Sequence, residues 1–181
     1  MAAGVLRRLG FRRGWIYETV VTTQCRDGST HPAPMGVWTS DFRSIKLRVY
    51  KKSATLKNIE RSGFFTVNLP DSVKTFHDAL YPKTLDYVKA KKGYSISGLS
   101  FIEAKVCGVR RMKDYVEFRA SVTSSSLKKN FRLFNRGEAL ALEYLITKTK
   151  PESVVMKPSE YRRLIKKVAP KSIYGGIVDS K

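Results

Sequence analysis

The run Tyr50-Lys51-Lys52-Ser53-Ala54-Thr55-Leu56-Lys57-Asn58 places two cations and two hydroxyls at the start of a short apolar-periodic segment. Leu56 and Ile59, three apart, mark the buried face of a two-turn helix, and Gly63 stands where a left-handed C-cap belongs. A helix start offers unpaired backbone N–H groups and about half a unit of positive charge. Lys51 and Lys52 add full charges, and the hydroxyl of Ser53 or of Thr55 can cap the helix. Such a junction can hold a phosphate or another anion. It carries neither the GxxxxGK[ST] of a P-loop nor the GxGxxG of a dinucleotide fold. The same residues equally suit a plain helix cap with two solvated lysines.

Other reactive side chains form no comparable group. His31 and His77 lack a nucleophile or carboxylate in a partner arrangement, so no catalytic residue is assigned. Cys25 and Cys107 lie far apart without a CxxC or Cys/His cluster, so no metal site is expected. A reduced, cytoplasmic setting is the default, with one distant disulfide left open. Arg136 and Glu143 stand seven residues apart, two turns along one helix face, where they suit either an ion pair or part of a site.

The elements that must position the junction read as follows. Residues 15–23, 31–39 and 45–50 are three strands of an antiparallel meander, the first two joined at the Asp27-Gly28 turn and the second broken at its entry by Pro32 and Pro34. After the helix, residues 64–69 form a strand, with Phe65, Val67 and Leu69 on one face. Residues 70–80 give a short amphipathic helix around Val73, Phe76 and Leu80. Residues 81–98 read as an irregular basic, Tyr-rich excursion with a helical turn at 84–90. Two long strands follow, joined at Lys113-Asp114. The longest helix covers 135–150, capped by Asn135 with Glu138 at the reciprocal position and stopped by Pro151; Ala139, Leu142 and Ile146 line one face, with Leu145 beside them. A basic helix and a Gly-containing tail end the chain. This order does not alternate as a doubly wound parallel sheet requires, and an antiparallel barrel or sheet with peripheral helices fits better.

With 181 residues, 42% apolar, the chain can bury a sizeable core as one main domain. The expected division is a basic N-terminal extension or arm (1–14), the main domain with its C-terminal helix (15–156) and a basic helical tail (157–181). No stretch is apolar enough for a membrane span. The net charge of +20 favours polyanions, and it is spread: residues 1–15 hold four arginines and no acid, 157–181 hold seven basic residues against two acids, and the larger part lies between.

The wider pattern adds to this. Ala33-Pro34-Met35-Gly36-Val37, then Leu47–Tyr50, then Thr55–Gly63 of T-L-x-N-I-x-x-S-G form, then Phe65–Asn68 of F-x-V-N form, resembles the FMN-binding split-barrel superfamily, the flavin reductase-like proteins. A nearer likeness is to a small domain-of-unknown-function family within it, through Phe134-Asn135-Arg136, Glu143 and Thr147. The core likeness covers about residues 15–123 and the family likeness runs to about 150. The resemblance implies a mainly β fold: a six-stranded antiparallel split barrel with C-terminal helices, working as a homodimer with FMN near the interface. It places the flavin phosphate at Lys51, Lys52, Ser53 and Thr55, counts Tyr50 among the cofactor-binding residues, and sets the ring and ribityl chain along Met35, Gly36, Val37, Trp38 and Thr39. Lys51-Lys52-Ser53 departs from the Arg-Ser-Ser common in flavin reductases: charge is kept and one hydroxyl lost. The implied function is that of a flavoprotein, with NAD(P)H as a possible electron donor to a flavin reductase-like oxidoreductase. Two rivals stand beside it: a basic nucleic-acid-binding module, and a split-barrel dimer without cofactor.

Overall fold

In a computed structural model of the chain the described residues are 2–81, 84–129, 131–149, 156–172, 174–175 and 177, with 2–3 and 148–149 described in their backbone alone. Contacts divide them into two compact units, one within 1–13 and 18–134, the other within 14–17 and 135–181. In chain order the elements are α1 (Ala2–Arg8), β1 (Tyr17–Gln24), β2 (Thr30–Trp38), β3 (Ser44–Tyr50), α2 (Ala54–Ser62), β4 (Phe64–Leu69) and α3 (Val73–Leu80). Then come β5 (Tyr87–Lys89), β6 (Tyr94–Ile96), β7 (Ser100–Arg111), β8 (Tyr115–Ser126), α4 (Gly137–Thr149) and α5 (Pro158–Val168).

Six strands close into an antiparallel barrel in the order β1-β2-β3-β8-β7-β4. Strand alternation is the cause: inward positions such as Val21, Leu47, Val67, Ile102 and Phe118 are buried and fill the interior. β2 carries its prolines outside its ladder with β3, whose register, Val37↔Leu47 and Trp38↔Lys46, lies beyond both. Asn68, fully buried, is bonded on both ends of its amide. Its Nδ2 donates to Val20 O (2.9 Å) and Thr22 Oγ1 (3.1 Å), and its Oδ1 accepts from Ile96 N (2.8 Å).

Helix α2 is pinned from both ends. Ser53 caps it, and Gly63 closes it at φ 64, a left-handed conformation that costs other residues steric strain, with its N–H on Ile59 O (2.8 Å). On its buried side Asn58 Nδ2 donates to Thr23 Oγ1 (3.0 Å), and at the surface Arg61 donates to Gln24 O.

Several expectations give way. The N-terminal arm is a helix closed by a Schellman pair, Phe11 N to Leu6 O (3.1 Å) and Gly10 N to Arg7 O (2.9 Å), and Leu6, Leu9 and Phe11 are buried. In α3, Val73 and Leu80 are exposed, while Ala79 is buried and Phe76 packs beside it in a cluster with Val20 and Ile96. The irregular excursion is a hairpin, β5 against β6, with Val88↔Ser95 as its middle pair. Its ties come from the barrel, from Asn68 Oδ1 and from the buried Glu103 carboxylate, which no local pattern announces.

In the second unit, α4 packs on α5 through Ala141, Tyr144, Tyr161 and Ile165, with the two tyrosine rings 6.0 Å apart. The face expected inside (Ala139, Leu142, Ile146, with Leu145) is exposed instead. Asn135 does serve the helix start, its Oδ1 accepting from Gly137 N (2.8 Å), while its Nδ2 donates to Ile16 O (2.6 Å) and Val168 O (2.8 Å). The expected stop at Pro151 lies outside the described residues.

Candidate functional site

The β3–α2 junction is built by a reversal of the chain. Tyr50 ends β3 opposite Tyr115, and Lys51 N donates to Asp114 O (3.1 Å) across the β7–β8 turn. Lys52 then takes φ 71, in the left-handed region, and turns the backbone toward α2. Ser53 follows in an extended conformation as N-cap: its Oγ accepts from Leu56 N (3.2 Å) and donates to Tyr50 O (2.9 Å). Thr55, buried, is not the cap. Tyr50, Lys51 and Lys52 are exposed, and neither lysine has an ion pair among the described residues. The first turn of α2 has no acidic residue either. Two free cations thus stand beside a helix N-terminus whose field has their sign. An anion is what this donor set suits.

The β2 residues divide by what remains of them. Val37 is fully buried in the barrel, and Thr39, equally buried, spends its Oγ1 accepting from Phe42 N (2.9 Å). Met35 O accepts from Thr19 Oγ1 (2.8 Å). Gly36 and Trp38 are half-buried, and the Arg48 guanidinium lies 5.1 Å from the Trp38 ring. Arg48 is itself held by Glu117 (3.2 Å) and the Tyr115 ring (5.1 Å). The register sets Trp38 beside Lys46, four positions before Tyr50, or about 13 Å along the strand. The two groups of residues therefore lie on adjoining strands, the anion-suited junction at one end and Trp38 and Thr39 toward the other.

The sequence did not show what joins the far end. Arg13 bridges to Thr39, and the Arg7 and Arg13 guanidinia lie 4.7 and 5.4 Å from the Phe42 ring. With Arg43 and Asp41 they border an open cleft of about 520 Å³. Burial pulls the Asp41 carboxyl up, but its bonds from Ser44 and Arg43 outweigh this and hold it below the usual carboxylate range. The apolar spacing of Leu6 and Leu9 was the signal that residues 1–13 pack. Elsewhere, burial lowers the His31 pKa and keeps the imidazole neutral near pH 7.

The six-stranded antiparallel split barrel with peripheral helices is a fold shared with solved proteins. The FMN-bound protein of Methanosarcina mazei with the DUF447 family model superposes with a TM-score of 0.59, at 16% identity over 96% of each chain. The styrene monooxygenase flavin reductase of Pseudomonas putida S12 gives 0.57 at 13% identity, over 63% of this chain and 81% of that one. Nitrilotriacetate monooxygenase component B from Mycobacterium thermoresistibile gives 0.55 at 22% identity, over 71% and 80%. The family model described as "Protein of unknown function (DUF447) N-terminal domain" matches residues 17–133, and the chain belongs to that family.

Proposed function

We propose that this protein binds FMN and works as a flavin reductase-like oxidoreductase, with NAD(P)H as the candidate electron donor. The observation that carries the reading is the junction after β3: a Ser53-capped helix start flanked by Lys51 and Lys52, both free of carboxylates among the described residues. That donor set fits a phosphate monoester. Lys51 and Lys52 would supply charge, the α2 backbone would supply N–H donors, and a phosphate oxygen would compete with Tyr50 O for the Ser53 hydroxyl. Thr55, buried beneath, would hold the turn. Gly36 offers close approach of backbone, and half-buried Met35 and Trp38 offer surface to a flat ring; Val37 and Thr39 shape the strand from inside.

Bound flavin supplies the hydride chemistry, so the chain need contribute only binding, orientation and exclusion of water. A homodimer with the flavin near its interface, in the cytoplasm, completes the proposal. The visible spectrum of the purified protein, recorded after adding FMN and removing the excess by gel filtration, tests it. A retained flavin spectrum bleached by NAD(P)H is expected; a colourless protein would favour a cofactor-free barrel.

A second reading, an accessory contact with nucleic acid, is favoured by the Arg7–Arg13–Arg43 cleft, since guanidinia suit phosphate and none of the three has an ion pair among the described residues. Oligonucleotide binding that weakens steeply with salt and is lost in Arg7→Ala/Arg13→Ala would support it.

A further inference from the structure

A second cavity, of about 270 Å³, lies where β1 ends, β4 begins and the tip of the β5–β6 hairpin folds over them. None of the residues assigned to flavin lines it. Phe64 and Tyr94 contribute aromatic wall. Thr66, 1% exposed, also lines it, and its Oγ1 is buried without a hydrogen-bond partner among the described residues. Buried hydroxyls are almost always bonded, so an unbonded one marks a place where a polar partner belongs.

The charged residues of the lining are both cationic. Lys92 and Lys105 are exposed at the rim, and neither has an ion pair among the described residues. Glu103, opposite Thr66 across the β4–β7 ladder, sets one negative charge against these two. It is fully buried and engaged: Oε1 accepts from Lys92 N (2.7 Å) and Gly93 N (2.9 Å), and Oε2 from Ser124.

The hairpin tip is held over the cavity by design of its sequence. Thr22 Oγ1 donates to Tyr94 O (2.6 Å). A Cβ on Gly93 would stand 2.9 Å from Thr66 Oγ1 and 3.2 Å from the Phe64 ring, so only glycine lets the backbone come this close.

We propose that this cavity binds a small hydroxylated aromatic carboxylate, with its ring between Phe64 and Tyr94, its carboxylate at Lys92 and Lys105, and its hydroxyl at Thr66. Aromatic walls select a flat ring, the two rim ammonium groups, in excess over the Glu103 carboxylate, select an anion, and the unbonded hydroxyl selects a polar substituent away from it.

Calorimetric titration of the full chain with 4-hydroxybenzoate tests this, with benzoate and 4-hydroxybenzamide as companions. Saturable binding of one molecule per chain is expected. The uncharged amide and the Lys92→Ala/Lys105→Ala variant should each weaken it about tenfold or more. Benzoate should bind less tightly than 4-hydroxybenzoate to the wild type, and the two should become equal in Thr66→Val. No saturable binding, or binding indifferent to both the lysines and the charge, would overturn the proposal. FMN retention by each variant reports separately on the flavin site and on folding.

Discussion

Ser53 does two tasks with one hydroxyl, accepting from Leu56 N and donating to Tyr50 O, and so fixes both the helix start and the turn that presents Lys51 and Lys52. The motif T-L-x-N-I-x-x-S-G made this junction legible, but it left the cap open between Ser53 and Thr55. Burial of Thr55 decides between them, and burial is a property of the packed fold. Glu103 was not legible at all, since its partners at Lys92, Gly93 and Ser124 are brought to it by strand pairing. Burial works to raise its pKa, but bonds from Ser124 and from the backbone of Lys91, Lys92 and Gly93 outweigh that and hold it below the usual carboxylate range. A carboxyl depressed on folding adds stability that is fully present above its unfolded pKa and lost as pH falls through the folded one. Wild-type protein should therefore lose stability below about pH 4.5, and Glu103→Gln should flatten that dependence. Chemical unfolding at stepped pH checks this; an equal slope in the variant would count against it.

At the scale of elements, strands were read well because alternation is a local signal. β1, β2, β3, β4, β7 and β8 all stand within a residue or two of where they were read, β3 and β4 from alternation, β1 from its β-branched and aromatic residues and β2 from the Asp27-Gly28 turn before it. Helix faces were read less well. Leu142, Leu145 and Ile146 form as good an apolar stripe as Ala141 and Tyr144 do, and only the partner α5 decides which is covered. Ile165→Ala should remove about 2–5 kcal/mol from the α4–α5 pair, whereas Leu142→Gln should change it by less than about 0.5 kcal/mol. Hydrogen exchange of α4 and α5 amides measures both. A comparable loss from the two would mean that the exposed stripe is the structural one. The β5–β6 hairpin was missed for a related reason: three-residue strands carry little periodicity, and Asn68 and Glu103 hold them from afar.

For the whole molecule, the net charge of +20 pointed to anions without saying where they bind. The fold separates three cationic places: the β3–α2 junction, the arginine cleft beside Thr39, and the rim of the hairpin cavity. The account turns on the first. FMN and riboflavin share a ring system and differ in the phosphate, so their relative affinity isolates that junction. Fluorescence titration of both ligands into wild type and into Lys51→Ala/Ser53→Ala measures it. The account predicts that wild type prefers FMN by about a hundredfold or more, and that the double variant loses most of this preference while holding riboflavin as before. Equal affinity for FMN and riboflavin in the wild type, or an FMN preference untouched in the variant, would contradict it.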